Sequence, residues 1–472
     1  MGTRAASDVS PKVLVIGLDC AAPEFVFNHP DFSLPHLHGL MDSGSFGILE
    51  SCHPPITVPA WSCMMSGRDP GALGVYGFRN RLSYDSYGEH RISTSLEVRE
   101  PRVWDVLSDA GKHVCVVGVP QTYPPMAVNG CMVSGILTPG LDSHCTYPES
   151  LKGELVNEIG GIQFDVEDFR TSETDYLLEQ IHEFRENRFA VARYLMTNKP
   201  WDFFMMVDMG VDRLHHGFWR YCDPGHPKFE EDNEWRWAVR DYYEALDGEV
   251  GKLLETAGSD TKVMVVSDHG AKALHGGVRI NQWLMEQGYL VLKRELEVVE
   301  PFRIEDVDWS LTSAWGDAGY CGRVFLNVRG RDAKGIVESQ DVAGLKRELR
   351  GRLEAMCGPS GANLGNEVFF PEEIYAEVNG IAPDLMVYFG GLHWRSLGEM
   401  GPKSDGERVF TDRNDTGADD ANHAMGGLVI LKDGMASDET DLEGANLMDV
   451  APTILDWMGV TVPATMQGRV LG

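Results

Sequence analysis

Short runs of consecutive apolar residues recur along the chain, separated by polar or glycine-rich stretches. Such runs are typical of strands that are buried on both faces of a parallel sheet. We predict strands of this kind at residues 12–20, 112–120, 201–209 and 261–270. Three of these strands carry aspartate at or near their carboxyl ends, the edge of a parallel sheet where ligands bind.

Between these runs, apolar residues repeat every three or four positions, which is the spacing of an amphipathic helix. Glycine closes several of these segments, as it commonly does at helix ends. The predicted helices are residues 34–44, 103–111, 177–197 and 235–258. Strands that alternate with helices in this way predict an α/β fold with a mostly parallel sheet.

The second half of the chain departs from this alternation. We predict one catalytic domain over residues 10–472, with a cap or subdomain inserted at 296–380 and a flexible N-terminus at 1–9. Residues 404–427 are polar without periodicity and predict a long loop, and loops of that length are functional or disordered. The chain then returns to the core and ends with a strand and a helix.

The amino-acid composition limits the binding partners and the cellular compartment that we expect for this protein. The 472 residues carry a formal net charge of −31, which argues against a nucleic-acid polymer or an anionic membrane as partner. No run approaches the roughly 18 apolar residues that span a bilayer, and the first residues lack the apolar core of a signal peptide. Nine cysteines without a CxxC pair predict reduced thiols in a cytoplasmic protein. A small molecule remains as partner, with a homo-oligomer as an open alternative.

Carboxylate and imidazole side chains gather at the predicted strand ends, on one helix and in the long polar loop. Taken alone, each has an ordinary structural explanation, since aspartate caps helices and turns. Taken together, three carboxylates and three imidazoles without thiolate suit zinc, with manganese or iron as alternatives. The six candidate ligands are Asp19, Asp212, His216, Asp268, His269 and His423.

Thr57 lies in the proline-rich stretch CHPPITVPAW (52–61), just before a predicted helix. From the residues alone it is a turn residue, a helix N-cap or a nucleophile. A threonine hydroxyl is a weak nucleophile unless a metal ion or a base activates it. The third role therefore depends on the candidate ligands lying nearby.

The order of these pieces resembles the alkaline phosphatase superfamily, and more narrowly its type I phosphodiesterase/nucleotide pyrophosphatase branch. The resemblance covers nearly the whole chain and implies a three-layer αβα sandwich with a mostly parallel central sheet and cap insertions. The stretches that carry it are LVIGLDCAAPEF (14–25), PPITVPAWSCMMSGRDPGALGVYGF (54–78), VDRLHHGFW (211–219), SDHGAKALHGGVRINQWLMEQGYL (267–290) and VFLNVRGRDAKGIV (324–337).

The resemblance implies two divalent metal ions, zinc first, with Thr57 between them as the nucleophile and as a further metal ligand. The reaction it implies is phosphodiester or nucleotide pyrophosphate hydrolysis through a phosphothreonine. Phosphomonoesterase, phosphonate hydrolase and phosphotransferase activity are alternatives in the same superfamily, and a non-catalytic binding protein is the alternative of another class. The implied ligand sets are Asp212, His216 and His423 at one ion, and Asp19, Asp268 and His269 at the other.

Contacts to the substrate are harder to assign. The family commonly places an asparagine beyond the nucleophile, but that position falls near Phe78 here and the nearest amide is Asn80. Arg79 and Arg81 flank it as alternatives. His275 is an alternative last ligand or a substrate contact.

Further acidic, cysteine and aromatic side chains bear on the site. Asp419 and Asp420 are expected to orient the imidazole of His423, as carboxylates around metal sites do. A sulfatase is excluded because Cys20, Cys52 and Cys63 lack that family's Pro and Arg spacing. Four aromatic residues either stack on a substrate or belong to the core: Trp219, Tyr221, Trp315 and Tyr320.

Overall fold

The computed structural model describes residues 11–402, 409–433 and 442–472. The predicted flexible terminus, residues 1–9, and residues 404–408 of the predicted polar loop lie outside the described residues. None of the helices in the described ranges is long and apolar enough to cross a membrane.

The strands, in chain order, are β1 (Val13–Leu18), β2 (Ser45–Glu50), β3 (Arg79–Arg81), β4 (His90–Ile92), β5 (Val114–Val117), β6 (Gly130–Val133), β7 (Thr146–Tyr147), β8 (Phe203–Asp208), β9 (Lys262–Val266), β10 (Gly270–Ala273), β11 (Gly276–Val278), β12 (Glu300–Pro301), β13 (Ala314–Asp317), β14 (Gly322–Leu326), β15 (Glu367–Phe369), β16 (Leu385–Tyr388), β17 (Trp394–Ser396), β18 (Glu399–Met400), β19 (Phe410–Thr411), β20 (Ala421–Ala424) and β21 (Gly426–Lys432).

The α-helices, in chain order, are α1 (Pro23–Val26), α2 (Pro35–Asp42), α3 (Thr57–Ser66), α4 (Pro70–Leu73), α5 (Val103–Asp109), α6 (Ser150–Ile159), α7 (Thr174–Asn198), α8 (Gly210–Cys222), α9 (Ala238–Ala257), α10 (Ile280–Glu286), α11 (Val342–Glu354), α12 (Pro371–Ile374) and α13 (Val450–Trp457). Two 3₁₀ turns, Ile304–Asp306 and Leu447–Asp449, complete the described helical segments.

A central sheet organises the molecule, with the strand order β2-β21-β9-β1-β8-β5-β6-β7. The four strands predicted from the apolar runs, β1, β5, β8 and β9, are neighbours in its middle and run parallel. The strands added at its edges, β2, β21 and β7, pair antiparallel. The prediction of an α/β fold with a mostly parallel sheet is therefore confirmed.

Helices form the outer layers of the fold. α2, α7, α8 and α9 pack against one another as one group, and α3, α5 and α13 form a second group. The core between these layers is fully apolar at its centre, because every residue of β1 and β8 except the terminal Asp208 is apolar, and all are buried. The architecture is the expected three-layer sandwich.

A second sheet, of order β13-β14-β16-β15, has a hydrophobic core of its own. Trp309 and Trp315 lie in that core, and the ring of Tyr87 stacks on Trp309. The buried ion pair between Arg81 and Asp332, at 2.8 Å, ties the β3–β4 hairpin to this unit. The boundary of an inserted subdomain at 296–380 stays a prediction.

The end of the predicted loop at 404–427 is a strand, which corrects the sequence-based expectation. β20 pairs antiparallel with β10, with His423 opposite Ala271. β10 directly follows the Asp268-His269 pair at the end of β9. A four-residue strand whose partner lies about 150 positions earlier has no local periodicity, so the pattern along the chain could not indicate it.

Candidate metal centre and active site

The first set of candidate ligands comes from the ends of two adjacent parallel strands. Asp19 follows β1 and Asp268 follows β9, so the parallel pairing of these strands brings their carboxylates together. The amide of Cys20 donates to Asp268 Oδ1 at 3.1 Å. Trp61, one turn after Thr57 on α3, donates its indole N–H to Asp19 Oδ2 at 2.6 Å. His269 completes the set, with Nε2 3.1 Å from Asp268 Oδ2 and 3.9 Å from Asp19 Oδ1.

The second set comes from helix α8 and strand β20. Asp212 and His216 are one turn apart on α8, with Asp212 Oδ1 3.3 Å from His216 Nε2. His423 joins them from β20, its Nε2 3.2 Å from His216 Nε2 and 3.7 Å from Asp212 Oδ1. The two sets adjoin, because the rings of His269 and His423 stack with their centroids 3.8 Å apart.

All three histidines present the same ring nitrogen to the site. Each Nδ1 lies beside an oxygen, which leaves the Nε2 lone pair directed at the neighbouring ligands. This is the arrangement of metal-binding imidazoles, whose other nitrogen donates to a carboxylate or a carbonyl. The oxygens are Asp419 Oδ1 for His216 at 2.7 Å, Gly270 O for His269 at 3.2 Å and Pro55 O for His423 at 2.7 Å.

One carboxylate oxygen of each aspartate has no hydrogen-bond partner among the described residues. These atoms are Asp19 Oδ1, Asp212 Oδ1 and Asp268 Oδ2, and all three side chains are buried. A buried carboxylate oxygen without a partner is costly, and native proteins satisfy such groups. Three of them facing three imidazole lone pairs fit divalent cations.

The pKa values of the candidate ligands are shifted by their burial and by one another. Burial raises the pKa of Asp19 and of Asp268, and repulsion from neighbouring carboxylates adds to it. Burial also opposes the charged form of Asp212, but His216 and Arg213 outweigh it and hold its pKa well below the usual range. Burial lowers the pKa of His269 to about 4. Burial likewise lowers the pKa of His423, whereas at His216 burial is outweighed by Tyr320, Asp419 and Asp212, which raise the pKa well above its usual value. Two of the three imidazoles are therefore neutral, which is the form that binds a cation.

Thr57 is the first residue of α3 and is buried against the first set. Its Oγ1 lies 3.4 Å from His269 Nε2. Ile56 occupies the N-cap, and no side chain caps this helix, so the N-cap alternative for Thr57 does not hold. The backbone N–H groups of the first turn have no partner inside the helix, and they favour an anion there.

The residues predicted to contact substrate make hydrogen bonds and ion pairs with other parts of the protein. The side-chain amide of Asn80 is already hydrogen-bonded next to the β3–β4 hairpin. It accepts from Tyr76 N at 2.8 Å and donates to Ser93 Oγ at 2.6 Å. The carbonyl of Arg79 accepts from Arg323, and Arg81 belongs to the buried ion pair with Asp332. The substrate contacts of Asn80 and Arg79 stay predictions that no contact in the described residues supports.

His275 is not brought to the ligands. Its ring stacks on His393 with the centroids 4.5 Å apart. His215, the neighbour of His216, points away and lies 3.2 Å from the hydroxyl of Tyr243. These positions agree with the prediction that His216 and His423, rather than His215 and His275, are the candidate metal ligands.

The expectation that Asp419 and Asp420 orient His423 was wrong. Asp419 contacts His216 instead, and the carboxylate of Asp420 lies 3.3 Å from Arg220. His423 is held by the carbonyl of Pro55, a backbone group that no side-chain pattern can reveal. β20 runs past α8, which places Asp419 over His216 rather than over its own strand.

Several residues of the site were not assigned from the sequence. Trp61 had a signal, because it is four positions from Thr57 and so shares its helix face. Arg213 donates to Asp212 Oδ2 at 2.5 Å, and Arg170 reaches Asp419 from a loop about 250 residues away, a contact without local signal. Of the four aromatic candidates, Tyr320 is the one whose ring stacks on a ligand, at 4.0 Å from His423.

Cys20 lies beside both sets. Its thiol is close enough to His269 and His423 to form a third candidate group, and it donates to the carbonyl of Gly270 at 3.4 Å. Burial and the carboxylates around it raise the pKa of this thiol well above its usual value. The raised pKa favours the neutral thiol, whereas the thiolate is the form that binds metals.

Comparison with known proteins agrees with this geometry. The family model for type I phosphodiesterase/nucleotide pyrophosphatase matches residues 13–420. Human ectonucleotide pyrophosphatase/phosphodiesterase 5 shares the fold at 13% identity and a TM-score of 0.54, with 97% of each chain covered. Phosphonoacetate hydrolase from Sinorhizobium meliloti, in complex with phosphonoformate, shares it at 15% identity and a TM-score of 0.61, with 96% of each chain covered. No curated protein sequence matches the chain at the level taken as significant.

Proposed function

Because the chain belongs to the type I phosphodiesterase/nucleotide pyrophosphatase family, we propose that it cleaves phosphate esters with Thr57 as nucleophile and two divalent metal ions as cofactors. The family is metal-dependent and hydrolyses phosphoesters, so the chain is a hydrolase that acts on ester bonds. The proposed substrate is a small phosphodiester or nucleotide pyrophosphate.

One observation carries the proposal. The hydroxyl of Thr57, 3.4 Å from His269 Nε2, lies against two adjoining sets of three buried ligands. Thr57 does not cap its helix, because Ile56 occupies the N-cap position. The closeness of the hydroxyl to the candidate ligands supports the role of nucleophile over that of a turn residue.

The donor set favours zinc, because imidazole and carboxylate without thiolate suit it, and manganese or iron are the alternatives. Asp212, His216 and His423 would hold one ion, and Asp19, Asp268 and His269 the other. When bound, two divalent ions neutralise the charge of a phosphoryl group and favour the ionised form of a nearby hydroxyl. Trp61 and Asp419 fix the orientation of one ligand in each set.

The protein groups then have defined tasks in two steps. Thr57 Oγ1 attacks phosphorus, the bond from phosphorus to the leaving oxygen breaks, and the hydroxyl proton ends on the leaving group, which is an alcohol from a diester or a phosphate from a pyrophosphate. Water next cleaves the bond between phosphorus and Thr57 Oγ1, which restores the hydroxyl and releases a phosphate monoester. Free N–H groups at the start of α3 stabilise the negative charge that develops on the phosphoryl oxygens.

A substrate panel with metal removal tests the proposal. The panel comprises bis-p-nitrophenyl phosphate, p-nitrophenyl phosphate, nucleotides and phosphonoacetate, and we expect the fastest turnover with a diester or a nucleotide. Elemental analysis should find close to two divalent ions per chain, and a strong chelator should abolish turnover until zinc or manganese is restored. Full activity after chelation, with no bound transition metal, would contradict the two-metal proposal.

The same panel separates the remaining alternatives. Preference for p-nitrophenyl phosphate would indicate a phosphomonoesterase, and cleavage of phosphonoacetate alone would indicate a phosphonate hydrolase. A protein that binds two ions and turns over none of these compounds would favour a non-catalytic binding protein on the same fold.

A further inference from the structure

Tyr320 is a half-buried tyrosine between β13 and β14, and its hydroxyl faces the second set of ligands. Its ring stacks on His423 with the centroids 4.0 Å apart, and its hydroxyl lies 3.5 Å from His216 Nε2. Tyr320 therefore comes within hydrogen-bond range of the same nitrogen that faces the candidate ion. Tyr320 is not one of the candidate metal ligands, so its position beside them needs another explanation.

Arg170 joins Tyr320 to the carboxylate that orients His216. Its Nε donates to Asp419 Oδ2 at 3.2 Å, and its Nη2 donates to the Tyr320 hydroxyl at 3.2 Å. About a fifth of its side chain is exposed, at 22%. Within the ranges that the structure describes, its other N–H groups make no hydrogen bond, so they remain available to a ligand.

The direction of these hydrogen bonds leaves the Tyr320 hydroxyl as a donor. Its oxygen accepts from Arg170, so its own hydrogen must go to another acceptor. His216 Nε2 is the nearest protein acceptor, and that lone pair is the one available to a metal ion. With that lone pair used for an ion, the hydroxyl hydrogen would be available to a ligand beside the second set, as would the N–H groups of Arg170 that make no hydrogen bond within the described residues.

We propose that Tyr320 and Arg170 bind a non-bridging phosphoryl oxygen of the substrate, an inference that rests on the proposed function. Hydrogen bonds from an arginine and a hydroxyl to an anionic oxygen are charge-assisted and stronger than neutral ones. The pair takes the role for which the sequence suggested an amide near Phe78, because Asn80 is spent within its turn.

Arg213 does not compete for this role. It is buried, its Nε and Nη2 hold both oxygens of Asp165 at 2.7 and 2.8 Å, and its Nη1 holds Asp212. Its guanidinium is thus engaged by two carboxylates. Arg170 combines positive charge, partial exposure and free N–H groups beside the candidate ions.

Binding of inorganic phosphate, which carries the same non-bridging oxygens as the expected monoester product, tests Tyr320 directly. The experiment is calorimetric titration of the zinc-loaded protein with phosphate. Tyr320→Phe keeps the ring on His423 and removes only the hydroxyl, and we expect it to weaken phosphate binding roughly 10-fold to 100-fold with two ions still bound. We expect KM for a substrate to rise as well.

The chain offers a matched control in a second arginine–tyrosine pair. Arg220 donates to the Tyr221 hydroxyl at 2.6 Å and lies 3.3 Å from Asp420, yet neither side chain contacts a candidate ligand through its hydroxyl or guanidinium. Tyr221→Phe should leave phosphate affinity unchanged. Arg170→Lys, which keeps the charge but not the forked contact, should weaken phosphate binding, and Arg220→Lys should not.

The outcomes separate this inference from the function on which it rests. Wild-type affinity for phosphate in Tyr320→Phe, or loss of an ion in that variant, would overturn the proposed contact while leaving the two-metal hydrolase intact. Equal weakening in Tyr221→Phe would also overturn it. A wild-type protein that binds no divalent ion and hydrolyses no phosphate ester would overturn both proposals.

Discussion

His423 and His275 both follow Asp268 in the chain, and their surroundings distinguish them. His423 is buried, with Nδ1 held by the carbonyl of Pro55 and Nε2 directed at His216. His275 is half-buried and stacks on His393 instead. At the scale of single residues, the position of Nε2 against His216 and Asp212 marks His423 as the candidate ligand.

We therefore expect His423→Ala to bind about one divalent ion, because Asp19, Asp268 and His269 remain to hold the other. Losing one imidazole should weaken the affected ion by roughly 10-fold to 100-fold or more, by analogy with losses elsewhere in metal shells, and most activity should be lost. Elemental analysis of the purified variant measures this. His275→Ala is the matched control and should keep both ions; one ion in His275→Ala and two in His423→Ala would show that the assignment is reversed.

Sequence reasoning reached the candidate ligands but not the groups that orient them. The candidate ligands Asp19, Asp268 and His269 end a predicted strand, and Asp212 and His216 share a helix face, so local pattern was sufficient. The partners of these residues are a backbone carbonyl, a tryptophan and a carboxylate from distant segments. Such contacts depend on the packing of elements, which no spacing along the chain encodes.

At the scale of elements, strand β1 and helix α3 meet at a glycine. A Cβ at Gly17 would lie 2.5 Å from Cη2 of Trp61 and 2.7 Å from Cγ2 of Val207. The Trp61 ring thus packs on the bare backbone of β1, and its N–H reaches Asp19 Oδ2 from there. The glycine lets α3 come close enough to the sheet to place both Trp61 and Thr57 at the site.

We expect Gly17→Ala to lower the free energy of unfolding by about 1–3 kcal/mol, the usual effect of overpacking a core. It should also weaken the ion held by Asp19, because the indole would move. Urea unfolding and metal titration measure the two effects. Gly153→Ala on α6, where an added Cβ meets no atom within 4 Å, should leave the free energy of unfolding equal or raise it by up to about 1 kcal/mol. Equal stability and metal affinity in the two variants would refute this packing argument.

The predicted elements show where local pattern is sufficient. The four buried strands and the helices around them were indicated by apolar runs and periodicity, since their residues are buried on the faces that those patterns mark. β20 was missed because it is four residues long and pairs with a distant partner. The edge strands β2 and β7 were also missed: β2 has only one buried residue, and β7 is two residues long.

At the scale of the whole molecule, the order of the strands in the central sheet brings distant acidic residues to one edge. β9, β1 and β8 are adjacent and parallel, so residues 19, 208 and 268 emerge at one edge although they are about 250 positions apart in the chain. α8 follows β8 and brings its ligands to that edge. The acidic residues gathered there repel one another, which two divalent cations would relieve.

Turnover by zinc-loaded Thr57→Ala is the most direct test of the account, because it removes the proposed nucleophile and leaves all six ligands in place. We predict that this variant binds two ions and folds as the wild type does. Its turnover of the best substrate should fall by about 10³-fold or more, since a covalent step without its nucleophile has no substitute in the site, while Thr57→Ser should retain measurable activity. Near wild-type turnover by Thr57→Ala with both ions bound would contradict the account and return Thr57 to the role of a turn residue.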